Sequence, residues 1–302
     1  MQIINDTWKT GKYYKLYHGP AQNIALSDQY DCIVTSPPYY QMRWSETDDA
    51  LEIGNEETVE TYLQSLIDVF ANLVPQLKDT GNVFINLGDK MLKKRQLLLP
   101  HRLALRLEEE KLLTLHQEII WLKSNNMPNS HHDRLTMRTE SFLWMVKDPK
   151  KFYHNVDPLR EPHKTKEILG NTSKEIAQES KYASAEKAGK LGSPRARAKR
   201  EKAVNYYHDG GRNPGNVWTI PTEKFSGTHF SVMPSELAKR AIHLGCPPEG
   251  TVLDPFNGAG TSMLAARQLN RKYIGVDVSE KYLKITLDRA LKVQVELDGF
   301  VW

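Results

Sequence analysis

A strand, a glycine-rich turn and a helix follow one another in residues 251–266, and this order restricts the fold more than any other feature. The strand is apolar until it ends in aspartate, and the helical pattern begins just after Gly258 and Gly260. These glycines allow a tight turn and a close approach of the backbone to a ligand. Because a further strand is predicted over residues 272–277, the segment predicts a βαβ unit with parallel strands.

The turn lacks the residues of a phosphate-binding loop. No Gly-Lys-Ser/Thr sequence follows its first glycine, and Met263 stands where the dinucleotide fingerprint has its third glycine. Asp254, just before the turn, disfavours a bound pyrophosphate and suits the ammonium group of an amino acid. Asp277 ends the next strand, where a nucleotide-binding βαβ unit has its ribose-hydroxyl acceptor. Thr261 or Ser262 is predicted to cap the helix.

A second motif, Ser36-Pro37-Pro38-Tyr39, follows the predicted buried strand 30–35. The prolines fix φ, lack an N–H and exclude the helical region for the residue before them, so the backbone is extended and its carbonyls are free. The Ser36 hydroxyl, the Pro37 carbonyl and the Tyr39 ring then lie at the carboxyl end of a strand, where open α/β sheets bind ligands. This set suits a planar base with an exocyclic amine. The alternative is a simple Pro-Pro turn.

Strand and helix patterns alternate along most of the chain. Helices are predicted over residues 59–77 and 97–110 and from Pro234 onward, and a turn is predicted at residues 79–81. Further strands are predicted over residues 13–18, 83–87, 118–122 and 142–146. The pattern indicates an α/β fold.

The composition is that of a soluble protein, with 302 residues of which 26% are charged. No segment approaches the roughly 20 consecutive apolar residues of a membrane-spanning helix, and the amino terminus does not resemble a signal peptide, so we expect a cytoplasmic protein. Cys32 and Cys246 are the two cysteines, and their spacing is not that of a zinc site. Residues 131–133, His-His-Asp, are predicted to form a loop, and no metal is expected.

The two motifs together resemble those of bacterial DNA amino-methyltransferases. Ser36-Pro37-Pro38-Tyr39 is similar to their catalytic motif, and residues 254–262 are similar to their S-adenosylmethionine motif. Because the catalytic motif comes first, the chain resembles the permuted beta group of these enzymes. The resemblance implies a Rossmann-like methyltransferase sheet, mostly parallel with an antiparallel edge hairpin, and S-adenosyl-L-methionine as the cofactor.

The resemblance also assigns site residues. The expected catalytic residues are Ser36, Pro37, Pro38 and Tyr39, and the expected cofactor-binding residues are Asp254, Pro255, Phe256, Gly258, Gly260, Thr261, Ser262, Asp277, Phe230 and Met233. Phe230 and Met233 belong to a segment that closes over the methionine part of the cofactor in the family. Family members often have Gly-Asp after the strand that contacts adenine, whereas this chain has Gly19-Pro20 and lacks that acidic side chain.

Three regions are predicted: residues 1–149 as the catalytic half, 150–215 as a target-recognition insertion, and 216–302 as the cofactor-binding half. The insertion contains a basic run, and lysine and arginine neutralise DNA phosphates. The predicted DNA-binding residues are Lys190, Arg195, Arg197, Lys199, Arg200, Lys202 and Arg212. A solvated protein face also carries such runs, and the net charge of +4 is only mildly basic.

The sequence therefore predicts a site-specific DNA methyltransferase that methylates the N4 amine of a flipped cytosine in double-stranded DNA, as part of a restriction-modification system. Tyr39 is the residue expected to stack on the base. Serine before Pro-Pro-Tyr favours cytosine by resemblance, and adenine N6 is the alternative. The sequence is also compatible with an inactive DNA-binding relative or with an enzyme that methylates RNA or protein. The expected partners are DNA and, in such a system, a restriction endonuclease acting on the same site; the chain is expected to act at the nucleoid as a monomer or homodimer.

Overall fold

The computed structural model describes residues 4, 6–42, 53–125, 132–163, 208, 210–223, 233–292, 296–297 and 300–301. The chain divides into two compact units. The larger consists of Met1–Asn155 with Asn216–Trp302, and the smaller is Val156–Gly215. Both sequence motifs lie in the larger unit, so its sheet positions the candidate site.

Strands and helices alternate through the described residues. The strands are β1 (Lys9–Gly11), β2 (Tyr14–His18), β3 (Tyr30–Thr35), β4 (Leu77–Leu87), β5 (Met91–Leu92), β6 (Arg95–Gln96), β7 (Thr114–Lys123), β8 (Thr139–Val146), β9 (Val217–Ile220), β10 (Thr251–Asp254), β11 (Lys272–Asp277), β12 (Glu296–Leu297) and β13 (Phe300–Val301). The α-helices are α1 (Val59–Leu73), α2 (Leu99–Glu109), α3 (Ser235–Gly245), α4 (Thr261–Gln268) and α5 (Glu280–Lys292). Short 3-10 helices lie at Ala21–Asn23, Val74–Gln76 and Asp157–Leu159.

A nine-stranded mixed sheet forms the centre of the larger unit, in the order β1-β2-β11-β10-β3-β4-β8-β7-β9. The strands from β2 to β4 in this order are all parallel. Strand β8 runs antiparallel to β4 and β7, and β9 adds an edge strand parallel to β7. The expected Rossmann-like sheet with an antiparallel pair is confirmed. Strand β3, which precedes the Ser36-Pro37-Pro38-Tyr39 motif, lies directly beside β10, which leads into residues 254–262, and Ile33 is opposite Leu253.

Helices pack against the sheet and against one another, α1 against α2 and α3 against α4. Thr58 caps α1 by accepting a hydrogen bond from the Thr61 N–H at 3.1 Å. Ile33 and Leu253 of the central strands share one hydrophobic core with α1 and α2. Helix α3 packs against β3 and β4, and Gly245 permits this because a Cβ there would lie 2.5 Å from the Phe84 ring. No helix of the described residues has both the length and the apolar character of a membrane span.

Three local predictions are wrong. Residues 79–81 belong to β4 rather than to a turn, because distant backbone groups pair with them: the Tyr153 N–H donates to the Thr80 carbonyl at 2.8 Å. The helix predicted over residues 59–77 ends at Leu73 and continues as one 3-10 turn. Helix α4 is capped by Gly260 with φ 76°, not by Thr261 or Ser262.

Candidate active site

The turn after β10 is fixed by hydrogen bonds from the strands and helix around it. Asn257 donates to the Thr286 hydroxyl at 2.8 Å and accepts from the Tyr273 hydroxyl at 2.8 Å. The Gly258 N–H donates to Asp277 Oδ2 at 2.7 Å. Gly258 and Gly260 have φ of 50° and 76°, the left-handed region that glycine favours. The turn is therefore a rigid feature at the carboxyl end of the sheet.

A cleft beside this turn is lined by both motifs. Its lining residues are Gly19, Pro20, Ala21, Gln22, Pro38, Ile53, Pro255, Phe256, Gly258, Asp277 and Val278. The space over Gly258 is open, since the nearest atom to an added Cβ would be the Phe256 carbonyl oxygen at 3.8 Å. An open glycine backbone, a carboxylate at a strand end and a partly buried aromatic ring fit a nucleoside ligand. Gly19 and Pro20 also line this cleft. Proline therefore occupies the cleft position where family members often have the aspartate that follows the glycine.

Asp254 joins the cofactor strand to the catalytic strand. Its side chain is buried, and Oδ1 accepts from the Thr35 hydroxyl at 2.7 Å and from the Phe256 N–H at 3.1 Å. Burial raises the pKa of the Asp254 carboxyl to about 6, although these hydrogen bonds oppose the shift. The Ser262 hydroxyl makes a second link by donating to the Val34 carbonyl at 3.1 Å. The two motifs are therefore held in register through side chains.

The catalytic motif leaves β3 as predicted, with Pro37 and Pro38 buried and Ser36 and Tyr39 partly exposed. The Tyr62 hydroxyl donates to the Pro38 carbonyl at 2.8 Å. No residue in the described ranges donates to the carbonyl oxygen of Pro37. Among the described residues, the carbonyl of Pro37 is therefore an available acceptor, whereas that of Pro38 is used to fix the backbone.

The Tyr39 hydroxyl takes part in a polar cluster. It donates to Glu140 Oε2 at 2.7 Å and accepts from the Asn86 amide at 2.9 Å, and it also interacts with the Ser36 hydroxyl. Its ring lies against Gly88, where a Cβ would approach within 2.7 Å. Burial, together with the Glu140 carboxylate, raises the pKa of Tyr39 well above its usual value. The phenol is thus neutral and able to donate.

Glu140 and Lys123 are residues that sequence reasoning missed. Glu140 forms an ion pair with Lys123, and the two side chains are only 11% and 15% exposed. A charged pair this sheltered needs a specific arrangement, since removing ions from water is costly. Lys123 ends β7 and Glu140 lies in β8, on either side of the polar segment between those strands. The sequence signal that could have identified them is the pair of opposite charges at the two ends of this polar segment.

The remaining predicted site residues lie at scattered positions. Met233 is buried just before the N-cap of α3, and Thr261 is buried in the first turn of α4. In the smaller unit, Arg212 forms an ion pair with Glu161. Phe230, Lys190, Arg195, Arg197, Lys199, Arg200 and Lys202 lie outside the described residues. Within the described residues, no group of histidine, cysteine or acidic side chains could hold a metal ion.

Comparisons with known proteins identify the family of the chain. A family model described as DNA methylase, N6_N4_Mtase, matches residues 30–288. The type II methyltransferase M.SmaI of Serratia marcescens is 28% identical over 295 residues, covering 88% of this chain and 86% of that protein. The type II methyltransferase M.SfiI of Streptomyces fimbriatus is 26% identical, covering 92% of this chain and 93% of its own.

Two solved structures share the fold. PvuII DNA methyltransferase, which is cytosine-N4-specific, has a TM-score of 0.66 at 17% identity, covering 97% of this chain and 93% of its own. The complex of M1.HpyAVI with SAM has a TM-score of 0.53 at 22% identity, covering 92% of this chain and 98% of its own. Because the family model spans most of the sequence and both motifs, this chain belongs to the N6/N4 family of DNA methylases.

Proposed function

We propose that this DNA methylase methylates the N4 amine of a cytosine in double-stranded DNA, within a type II restriction-modification system. The methyl donor is S-adenosyl-L-methionine, which supplies an electrophilic methyl group on a sulfonium sulfur. The observation that carries methylation of an exocyclic amine is the partly exposed Ser36 hydroxyl next to Pro37 in the motif beside the cofactor cleft. Serine at position 36 favours cytosine over adenine by resemblance to the family. Acting on DNA, the protein would work at the nucleoid in the cytoplasm.

The cofactor residues divide into three groups. Asp277, Phe256 and Gly258 line the cleft and would receive the nucleoside part, with the Asp277 carboxylate accepting from ribose hydroxyls. Asp254 would favour the ammonium group through its negative charge above pH about 6. Pro255 also lines the cleft and, with Gly260, Thr261, Ser262, Phe230 and Met233, would shape the turn and the methionine side of the site.

Ser36 and Pro37 would position the amine. A hydroxyl oxygen and a carbonyl oxygen can each accept one N–H of an exocyclic amine, which leaves the nitrogen lone pair directed toward the methyl group. Holding reactants in this geometry accounts for much of the acceleration of a transfer reaction. Both acceptors follow a strand that is tied to the cofactor strand through Thr35 and Asp254 at 2.7 Å. The distance between amine and cofactor is therefore set by the sheet.

Tyr39 would stack on the base after the base leaves the duplex, which costs a few kcal/mol of lost pairing and stacking. Its hydroxyl is held by Glu140 and Asn86, so the ring has one preferred orientation. Lys123 would balance the charge of Glu140. Pro38, whose carbonyl is fixed by Tyr62, would keep this ring next to the acceptors.

Recognition of the DNA site would fall to residues 150–215. The predicted phosphate contacts there are Lys190, Arg195, Arg197, Lys199, Arg200 and Lys202. Arg212 is paired with Glu161, so it would reach DNA only by exchanging that partner for a phosphate. Residues 1–149 and 216–302 would supply catalysis and cofactor binding.

Mass spectrometry of nucleosides tests the proposal. Duplex DNA of known sequence is incubated with the protein and isotope-labelled S-adenosyl-L-methionine, then digested and separated. We expect labelled N4-methylcytosine at one site. Labelled N6-methyladenine would instead establish adenine as the target base, and label found in RNA or protein acceptors but not in DNA would contradict a DNA substrate.

Ser36→Ala provides the matched inactive variant in the same assay. Loss of one positioned hydrogen-bonding group should lower turnover about 100-fold, whereas the cofactor affinity measured by calorimetry should stay the same. Ser65→Ala is the control, because the Ser65 hydroxyl only bonds within α1, to the Thr61 carbonyl at 3.1 Å. An equal loss of turnover and cofactor affinity in Ser36→Ala would contradict the proposed role of Ser36.

A further inference from the structure

We propose that the β5–β6 hairpin, residues 90–96 and here called the basic hairpin, is a contact for the DNA phosphate backbone at the catalytic edge of the sheet. This inference rests on the proposed function, because it assumes a DNA substrate, and it adds a surface outside the basic run of residues 150–215. It is carried by three observations: where the hairpin is anchored, which charges its tip presents, and how its backbone is strained.

The basic hairpin is anchored to the catalytic motif. It follows β4, whose residue Ile85 lies beside Thr35 of the catalytic strand. The Lys90 ammonium donates to the carbonyls of Tyr40 at 3.3 Å and Gln41 at 3.1 Å, directly after the motif. Bound phosphate at the tip would therefore lie at a fixed place relative to the site where the base is methylated.

Asp89 fixes the root of the hairpin from the other side. Its Oδ1 accepts from the Leu99 N–H at 3.0 Å, and its Oδ2 accepts from the Leu98 N–H at 3.0 Å and from the Gln96 amide at 2.8 Å. One carboxylate thus holds both the second hairpin strand and the start of α2. The hairpin is a built element with a rigid base.

Three consecutive cations, Lys93, Lys94 and Arg95, form the exposed tip. The side chain of Lys94 is 85% exposed, and its ion pair with Asp133 is long at 3.9 Å. Exposed ion pairs of this kind contribute little stability, so the lysine can exchange Asp133 for another anion at small cost. A phosphodiester backbone is the polyanion that the proposed substrate brings to this edge.

The backbone at the tip is strained because its two central residues are not those that the turn prefers. Lys93 and Lys94 have φ of 49° and 62°, and they are the two central residues of a two-residue hairpin, with Leu92 paired to Arg95. Such turns need positive φ at both positions and strongly prefer Asn-Gly, because other side chains are disfavoured there. Strain of this type is typical of functional sites. Here both residues in the strained conformation are exposed lysines.

The test exchanges the lysines for the residues that the turn itself prefers. Lys93→Asn/Lys94→Gly removes the two charges and also relieves the backbone strain of the turn. The midpoint temperature of thermal unfolding should therefore stay the same or rise. Binding is measured by fluorescence anisotropy with a labelled 30-base-pair duplex of mixed sequence, between 50 and 200 mM KCl. We expect about tenfold weaker binding at 50 mM KCl and a salt slope reduced by about two, as loss of two phosphate contacts requires.

Two further variants separate charge at this place from other causes. Lys93→Arg/Lys94→Arg keeps the charges and should keep the affinity and slope. Lys111→Gly/Lys272→Gln removes two exposed lysines at the opposite edge of the sheet, of which Lys111 also has a positive φ of 54°, and should leave the slope unchanged.

The proposal is overturned if Lys93→Asn/Lys94→Gly binds DNA like the unaltered protein. It is also overturned if the arginine variant loses as much affinity as the Asn-Gly variant, or if the opposite-edge variant shows the same loss, since net charge would then be the cause. The readout is binding and requires no methyl transfer. A protein that binds through the hairpin but methylates no DNA would refute only the proposed function.

Discussion

The cofactor turn and the catalytic motif lie side by side, but they are held in place differently. The cofactor turn, residues 254–262, is fixed by Asp277 and Thr286, which follow it within one βα unit. The catalytic motif is fixed by Tyr62, Asn86 and Glu140, from 24 to 101 residues away from their partners in the motif. Apart from the bonds of Asp254 and Ser262 to β3, the turn is held by the strand and helix that follow it, whereas the motif also needs the antiparallel strand β8.

Because of this difference, substitutions in the two regions should affect different properties of the protein. The cofactor turn depends on backbone conformation, so substitutions that disfavour its φ angles should destabilise the protein. The catalytic motif depends on side-chain hydrogen bonds, so substitutions there should affect turnover more than folding. Asp254 belongs to both regions, since it ends the cofactor strand and bonds to Thr35 of the catalytic strand.

Gly260→Ala should have the largest effect. The residue has φ 76°, and an added Cβ would lie 2.5 Å from Thr286 Cγ2. Left-handed strain and overpacking together should lower the free energy of unfolding by about 4 kcal/mol. Urea denaturation measures this loss, and cofactor affinity should fall with it.

Gly258→Ala is the matched comparison in the same turn. Gly258 also has positive φ, 50°, but the space around its Cβ position is open. Only the conformational strain remains, so the loss should be about 1 kcal/mol. Equal losses at the two glycines would show that Thr286 does not restrict the turn.

Asp254→Asn should change how stability depends on pH. The folded pKa of about 6 is above the ordinary 3.8, so the folded state binds more protons between these values and stability falls as pH rises through that window. Asparagine carries no charge to bury. The stability of the variant relative to the unaltered protein should therefore rise by about 2 kcal/mol from pH 4 to pH 7, as measured by urea denaturation at each pH.

Asp148→Asn is the control, because the pH dependence of stability that it removes has the opposite sign. Hydrogen bonds from the Lys150 N–H and Lys151 lower the pKa of this exposed carboxyl, so its contribution is present above its ordinary pKa and is lost as pH falls. If Asp254→Asn showed no pH dependence, the buried charge would not be the source of the shift.

The local regions were predictable from sequence, and the reason is visible in individual elements. Strands β3 and β11 have the predicted bounds, because each is a compact apolar run ending at a turn signal. The Ser36-Pro37-Pro38-Tyr39 exit needed only the restrictions of two prolines. The left-handed conformations of Gly258 and Gly260 follow from the absence of a Cβ.

The long-range contacts were not predictable in this way. Glu140 reaches Tyr39 only because β8 runs antiparallel beside β4, with Phe142 opposite Asn86. The residues of the predicted turn at 79–81 extend β4 for a similar reason, since Lys147 and Tyr153 supply backbone donors from a distant segment. The register between strands depends on packing over the whole unit, so it cannot be predicted from residue type or spacing alone.

Tyr39→Phe and Glu140→Gln should have smaller effects. They test the long-range hydrogen bonds that hold the catalytic motif. Tyr39→Phe removes the 2.7 Å hydrogen bond between the Tyr39 hydroxyl and Glu140 but retains the ring. Glu140→Gln weakens the same bond, because a neutral amide oxygen replaces the charged acceptor while the shape of the side chain is kept. We expect about tenfold lower turnover, equivalent to about 1.4 kcal/mol, the range of one hydrogen bond. Cofactor affinity should not change, because the cofactor turn is held independently.

The double variant decides whether Glu140 acts through Tyr39. If both belong to one hydrogen bond that positions the ring, Tyr39→Phe/Glu140→Gln should be about as slow as either single variant, whereas independent roles would multiply to about 100-fold. Glu118→Gln is the control on the same strand pair, since it alters the 2.6 Å bond to Ser141 instead. A multiplicative loss would mean that Glu140 contributes through Lys123 or the fold, and the tyrosine would then be positioned by Asn86 and Gly88 alone.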